Sequence, residues 1–298
     1  MTFRGLFART TPTTDVNDAA IQTGCGPVDE LLGGGFERGT VTQLYGPPAA
    51  GKTNLALSAA VETAATGGTV VYIDTEGVSV DRFDQLLSAR VATDRDRDPD
   101  PNPNPDPDAL ESGPESTTER DTGPKSQSDP ERETDATGDS PPDIETVASR
   151  IVIEDALDFE EQAEAVRDAE EFAERADLIV LDSATGFYRL ERTGEGSDGE
   201  ALRSVTRQVT HLLSLARKHE LAVVLTNQVF ADPDSDRTRA LGGNTLEHWT
   251  GVVLRLERFR GGKRRAMLEK HRSKPAGESA QFRITDGGVE GDGERGRR

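Results

Sequence analysis

The stretch that most constrains this chain is Leu44-Tyr-Gly-Pro-Pro-Ala-Ala-Gly-Lys-Thr-Asn54. Gly46, four residues, then Gly51-Lys52-Thr53 match the phosphate-loop pattern in full. A β-prone run, Thr40 to Tyr45, precedes it, and an Ala/Leu-rich helical run, Asn54 to Thr66, follows. Chemistry demands that strand–loop–helix setting, because loop N–H groups and the positive end of a helix together hold an anion. The expected triphosphate contacts are Gly46, Pro47, Pro48, Ala49, Ala50, Gly51, Lys52, Thr53 and Asn54. Lys52 would reach the β- and γ-phosphates, and the Thr53 hydroxyl would sit on Mg²⁺.

The partners such a loop needs follow at strand ends. Thr69-Val-Val-Tyr-Ile-Asp74 is an apolar, β-branched run of the kind found in buried parallel strands. It delivers Glu76 to where a carboxylate can orient water against a γ-phosphate. Asp177-Leu-Ile-Val-Leu-Asp182 is a second such run, and its terminal Asp182 has the position of a Mg²⁺-holding carboxylate. Leu221 to Gln228 is a third, ending in two amides, of which Asn227 or Gln228 would meet the γ-phosphate. Strands alternating with helix-period segments predict an α/β chain with a mostly parallel central sheet. Asp158 with Glu161 three residues on marks a helix start. Three apolar β-type runs at the C-terminus, with Gly261-Gly262 and Gly287-Gly288 as turns, predict an antiparallel extension.

Residues 1–20 read as a loose polar arm and 291–298 as a tail around a core of 21–290. Within that core, residues 92–143 hold 16 acidic and five basic residues and ten of the 16 prolines. So little apolar surface cannot offset ordering entropy, which predicts a disordered insertion that could be removed without loss of fold. One cysteine excludes a disulfide framework and fits a reducing cytoplasm. No run approaches the roughly 18 apolar residues of a membrane span, so no membrane partner is expected. The net charge of −20 would ordinarily exclude nucleic acid. However, only six of 35 basic residues are lysine, a composition suited to a halophile's cytoplasm, where the Debye length is about 3 Å or less and net charge says little about partners. Arg255 to Lys274 reverses the trend with nine Lys/Arg against Glu257 and Glu269. This stretch suits either a phosphate backbone or a subunit contact.

The ordered set of motifs resembles the RecA/RadA recombinase family. It comprises Thr23-Gly, Asp29-Glu-Leu-Leu-Gly-Gly-Gly, the phosphate loop, Tyr72-Ile-Asp-Thr-Glu76, Leu178-Ile-Val-Leu-Asp-Ser183, Leu225-Thr-Asn-Gln-Val229 and Leu241-Gly-Gly-Asn-Thr-Leu-Glu-His248. The likeness is greatest to archaeal RadA paralogues without a helix-hairpin-helix N-terminal domain. It implies a RecA-like fold, with ATP and Mg²⁺ as ligands. Glu76 would be the water-activating base, Asp182 and Thr53 the metal residues, and Gln228 the link between γ-phosphate and DNA loops. It places Phe187-Tyr188-Arg189 in the first DNA loop and Phe230 to Leu241 in the second. Tyr188, Arg189, Arg264 and Arg265 are the candidate DNA contacts, and Lys270 and Arg272 resemble a finger presented to a neighbouring subunit's nucleotide. Every Phe lacks an Ala three residues on, so the family's polymerisation motif is missing, and Asp232, Asp234 and Asp236 make the second loop acidic. The resemblance therefore implies an accessory protein in recombinational repair with slow ATP hydrolysis and no strand exchange. Its implied partners are single-stranded DNA bound weakly, a RadA recombinase and, in a homodimer, a second copy. The alternative is an active ring ATPase of the KaiC-like kind with another client.

Overall fold

The computed structural model describes residues 20–95, 143–188, 197–231 and 238–292. A short ribbon, β1 (Ala20–Ile21) with β2 (Phe36–Glu37), flanks α1 (Gly26–Leu32), whose last turn closes through a left-handed Gly33. Then come β3 (Val41–Tyr45), α2 (Lys52–Ala65), β4 (Val70–Asp74) and α3 (Val80–Arg95). After the insertion come α4 (Ile144–Ala148), β5 (Ile151–Asp155), α5 (Phe159–Asp168), β6 (Leu178–Asp182), α6 (Ser197–His219) and β7 (Ala222–Asn227). The chain ends with a small hairpin, β8 (Val229–Ala231) and β9 (Thr238–Ala240), then α7 (Gly243–Trp249) and the strands β10 (Val252–Arg258), β11 (Lys263–Lys270), β12 (Ser279–Thr285) and β13 (Gly288–Gly291).

Nine strands form one sheet in the order β13-β12-β11-β10-β3-β7-β6-β4-β5. From β10 to β5 every pairing is parallel, and from β10 to β13 every pairing is antiparallel. The apolar runs Val70–Asp74 and Leu178–Asp182 are buried along their whole length because helices cover both faces. One face packs Leu44, Tyr72, Leu178 and Phe282 against α1, α2 and α3. The other packs Val41, Ile73, Leu181 and Val223 against α5 and α6. This is the expected α/β architecture, with the antiparallel extension in place.

Local signals hold in detail. Asp158 accepts hydrogen bonds from the Glu160 and Glu161 N–H groups at 2.9 Å each, and Glu161 reaches back to the Leu157 N–H at 2.7 Å. Several short elements escape sequence patterning, among them β1–β2, α4 and β13. Helix α7 begins at a double glycine, and β8–β9 is too short to show a period. The insertion also starts later than composition indicates: α3 continues to Arg95, with Val91 buried, and Asp143 caps α4 through a 2.7 Å bond from the Thr146 N–H. Pro-poor, Asp/Arg-bearing residues 92–95 share the composition of the insertion yet extend the helix already begun.

Helices α3 and α4, which flank residues 96–142, pack on each other. A flexible linker matched to the gap between Arg95 and Asp143 can therefore replace the segment. Replacing 96–142 by such a linker should leave the melting temperature within a few degrees of the full chain by calorimetry. A drop of ten degrees or more would show that the segment packs on the core.

Candidate nucleotide site

The loop between β3 and α2 has the backbone its sequence demands. Ala49 (φ 60°) and Gly51 (φ 105°) take left-handed conformations, and Gly51 precedes the first turn of α2. Gly46 is required for a separate reason: a Cβ there would lie 2.2 Å from the Leu256 carbonyl oxygen of β10. The loop thus rests directly on the neighbouring strand. Lys52 is largely buried and donates to the Gly46 and Pro47 carbonyls at 3.1 and 3.4 Å. Burial pushes its ammonium pKa down, while Glu76 and Asp182 oppose the shift.

Asp182 is fully buried at the end of β6. It accepts the Tyr72 hydroxyl at 2.8 Å and the Thr226 hydroxyl, and the Thr53 side chain stands near enough to favour its charged form. Burial pushes its pKa up, and Thr226, Tyr72 and Thr53 pull it back. Tyr72, also fully buried, is pushed up by burial and then by Asp182. The donor set fits Mg²⁺, which binds proteins through one or two groups and completes its octahedron with phosphate and water. Thr53 and Asp182 would supply the protein oxygens. Among the described residues there is no cluster of three or more His, Cys, Asp or Glu that would cage a metal by itself.

Glu76 stands on a turn built by a residue that the sequence did not single out. Asp74 ends β4, and its Oδ1 accepts the N–H groups of Glu76 and Gly77 at 3.0 Å each, while Oδ2 accepts that of Val78. Thr75 then clasps the next strand: its hydroxyl donates to the Ser183 carbonyl at 3.0 Å and accepts the Ser183 N–H at 2.7 Å. Gln228 closes the pair by donating from Nε2 to Glu76 Oε1 at 3.0 Å. Lys52, Thr53, Asn54, Glu76 and Gln228 line one cleft of about 290 Å³. Asn227, the neighbouring strand-end amide, is buried outside the cleft. It accepts from Thr185 at 2.7 Å and holds the Leu241 carbonyl at 2.8 Å, tying down the end of the second loop.

The remaining candidates do not join this cleft. Tyr188 is buried in the α5–α6 core, so its ring offers no open face for stacking. Arg189 lies outside the described residues, as does 232–237 of the second loop. Arg265 is paired with Glu257 and sits over the Phe259 ring. Lys270 donates to the Glu247 and Thr250 carbonyls at the end of α7, at 2.6 and 2.8 Å, and Arg272 pairs with Glu37. Both finger residues are thus engaged within their own chain. Arg264 lies against Gly51 of the phosphate loop.

Phosphate loop, buried strand-end Asp182 and Glu76 on the adjacent strand, all on a mainly parallel sheet with an antiparallel wing, define a RecA-like nucleotide-binding fold. The Rad51 family model matches residues 16–96 and 130–292, and the chain belongs to that family. It is 56% identical over 276 residues to a DNA repair and recombination protein RadB of Halobacterium salinarum, covering 92% of this chain and 96% of the relative. The RadB of Methanococcoides burtonii is 35% identical over 266 residues, with 89% and 95% covered. A crystal structure of the RadB recombinase superposes with a TM-score of 0.65 at 31% identity, covering 91% of this chain and 99% of that one.

Two variants separate the roles. Lys52→Ala should weaken nucleotide binding at least about tenfold, or about 1.4 kcal/mol, by calorimetry; undiminished affinity would contradict the phosphate-loop assignment. Asp74→Ala should lower turnover while leaving nucleotide affinity within about twofold, because it loosens the turn bearing Glu76 but touches no phosphate ligand. Parallel losses in both would show that Asp74 supports the loop itself.

Proposed function

We propose that this protein is an ATP-binding accessory factor of DNA repair and homologous recombination. It binds Mg²⁺·ATP, associates weakly with DNA and modulates a RadA-type recombinase, with slow hydrolysis and no strand exchange of its own. The observation that carries the reading is the convergence of Lys52, Thr53, Glu76 and Gln228 on one cleft, with Asp182 beneath it, in a chain whose relatives are named DNA repair and recombination protein RadB.

In hydrolysis, Glu76 would take a proton from the water that attacks the γ-phosphorus, as the bond to the β-bridging oxygen breaks. Lys52 would hold the charge that develops on the phosphate oxygens. A bound Mg²⁺ would neutralise part of that charge. Gln228 donates to the Glu76 carboxylate, which occupies an oxygen of the group that must accept the proton. This favours binding over turnover. A γ-phosphate oxygen competing for the Gln228 amide would free Glu76 and, through Val229 and β8, register ATP in the second loop.

Weak DNA binding is supported at the tip of the β10–β11 hairpin, where Phe259 is 46% exposed beside Arg258 and Arg260. An aromatic face flanked by guanidinium groups suits single-stranded DNA, and stacking survives the salt that screens charge. The ring-ATPase alternative gains less support, because Lys270 and Arg272 are committed within the chain. A homodimer is compatible with this reading. Among the described residues no helix is long and apolar enough to cross a membrane, and a cytoplasmic location follows from the proposed role.

The test is ATP binding and turnover at molar KCl, with and without single-stranded DNA, together with strand exchange by RadA. Expected are firm ATP binding, slow turnover and a change in RadA activity when this protein is added. Rapid turnover with no effect on RadA would overturn the accessory role.

A further inference from the structure

Arg264 breaks the pattern of charge pairing in the sheet extension. Its neighbours have carboxylates: Arg255 and Arg265 meet Glu257, while Lys263 and Arg283 meet Asp292. Arg264 donates from Nη1 to the Gly262 carbonyl at 2.8 Å. Its Nε is buried with no hydrogen-bond partner among the described residues. Directly opposite in the ladder is Arg258, a second cation with no carboxylate partner among the described residues. Burial and then Arg258 push the Arg264 pKa down. A buried donor without an acceptor is costly, and a like charge beside it adds to the cost. Such a group is suited to a ligand that arrives with an acceptor or a π face.

The position says which ligand. A Cβ placed on Gly51 would come within 3.1 Å of Arg264 Cδ and 3.4 Å of its Nε, and within 3.1 Å of Ile284 Cδ1. Arg264 and Ile284 are therefore the wall on which the phosphate loop rests. Glu76 and Gln228 mark the γ end of the cleft, so a triphosphate running back along Lys52, Thr53 and Asn54 must release its nucleoside on the other side. That side is braced by Arg82, whose Nε donates to Asn54 Oδ1 at 3.0 Å and whose Nη1 donates to the Asp286 carbonyl at 2.9 Å. The β12–β13 turn and Arg264 thus border the space where sugar and base emerge.

The geometry points to Arg264 as a nucleoside-contacting residue, its guanidinium with the Ile284 side chain seating the base and sugar of the triphosphate held by the loop. This rests on the phosphate-loop reading above. Arginine suits the task because its plane stacks on a base while its free N–H reaches a sugar or phosphate oxygen; lysine has the charge but no plane.

The test is calorimetric titration of the full chain with Mg²⁺·ATP and, separately, with Mg²⁺·tripolyphosphate, which has the phosphates but no nucleoside. Arg264→Ala should lose at least about tenfold in ATP affinity and keep tripolyphosphate affinity within about twofold. Arg264→Lys should recover little of the ATP loss, and it serves as the measured variant should the alanine form melt below the working temperature. Equal losses for both ligands would move the contact to the phosphates and overturn the nucleoside assignment. So would unchanged ATP affinity in both variants. Failure of the wild type to bind either ligand would instead overturn the phosphate-loop reading, and this inference with it.

Discussion

Everything in the site depends on one buried carboxylate. Asp182 ends β6 with no exposed surface, and two hydroxyls bond to it, Tyr72 from β4 and Thr226 from β7, with Thr53 from the first turn of α2 close by. A carboxylate taken out of water is tolerated only when hydrogen bonds or a cation replace its hydration. Here the replacement comes from each neighbouring strand. The same bonds that stabilise Asp182 therefore fix the relative positions of the strands around the cleft. The sheet order β3-β7-β6-β4 places Asp182 two strands from the phosphate loop and next to the strand that presents Glu76.

Around that anchor the polar groups divide into two kinds. Some are spent on architecture: Asp74 forms the Glu76 turn, Thr75 clasps Ser183, and Asn227 holds Leu241. Others keep capacity in reserve. Lys52 is held by two loop carbonyls, and Arg264 retains a buried donor without a partner among the described residues. Both have lowered pKa values because of burial, and an arriving polyanion would relieve both. The acidity of the chain as a whole is no guide to the site, since Lys52 and Arg264, neither ion-paired with a carboxylate among the described residues, sit at the loop.

Much of this was legible in the sequence because the signals are local. A phosphate loop needs glycine at set spacings, and buried parallel strands need continuous apolar runs, so β3, β4, β6, β7, Asp182 and Glu76 could be read directly. Contacts between distant segments could not. Tyr72 looked like one more apolar strand residue until β4 and β6 came into register, pairing Tyr72 with Val180 and Asp74 with Asp182. Tyr188 and Arg265 looked available because polar-capable side chains in loops and hairpins usually are; packing buried one and Glu257 engaged the other. Lys270 and Arg272 carry a recognisable pattern, but their partners, the end of α7 and Glu37, come from parts of the chain that no short motif spans.

Asp182 anchors the strands around the cleft, and in the proposed function it is also the carboxylate that makes nucleotide binding metal-dependent. Asp182→Asn keeps an acceptor for the surrounding hydroxyls but removes the charge. ATP affinity measured by calorimetry with and without Mg²⁺ tests the claim most directly. The wild type should bind markedly tighter with Mg²⁺, and the variant should remain folded yet lose most of that difference. A variant that keeps the full Mg²⁺ dependence would show that Asp182 only holds the strands together.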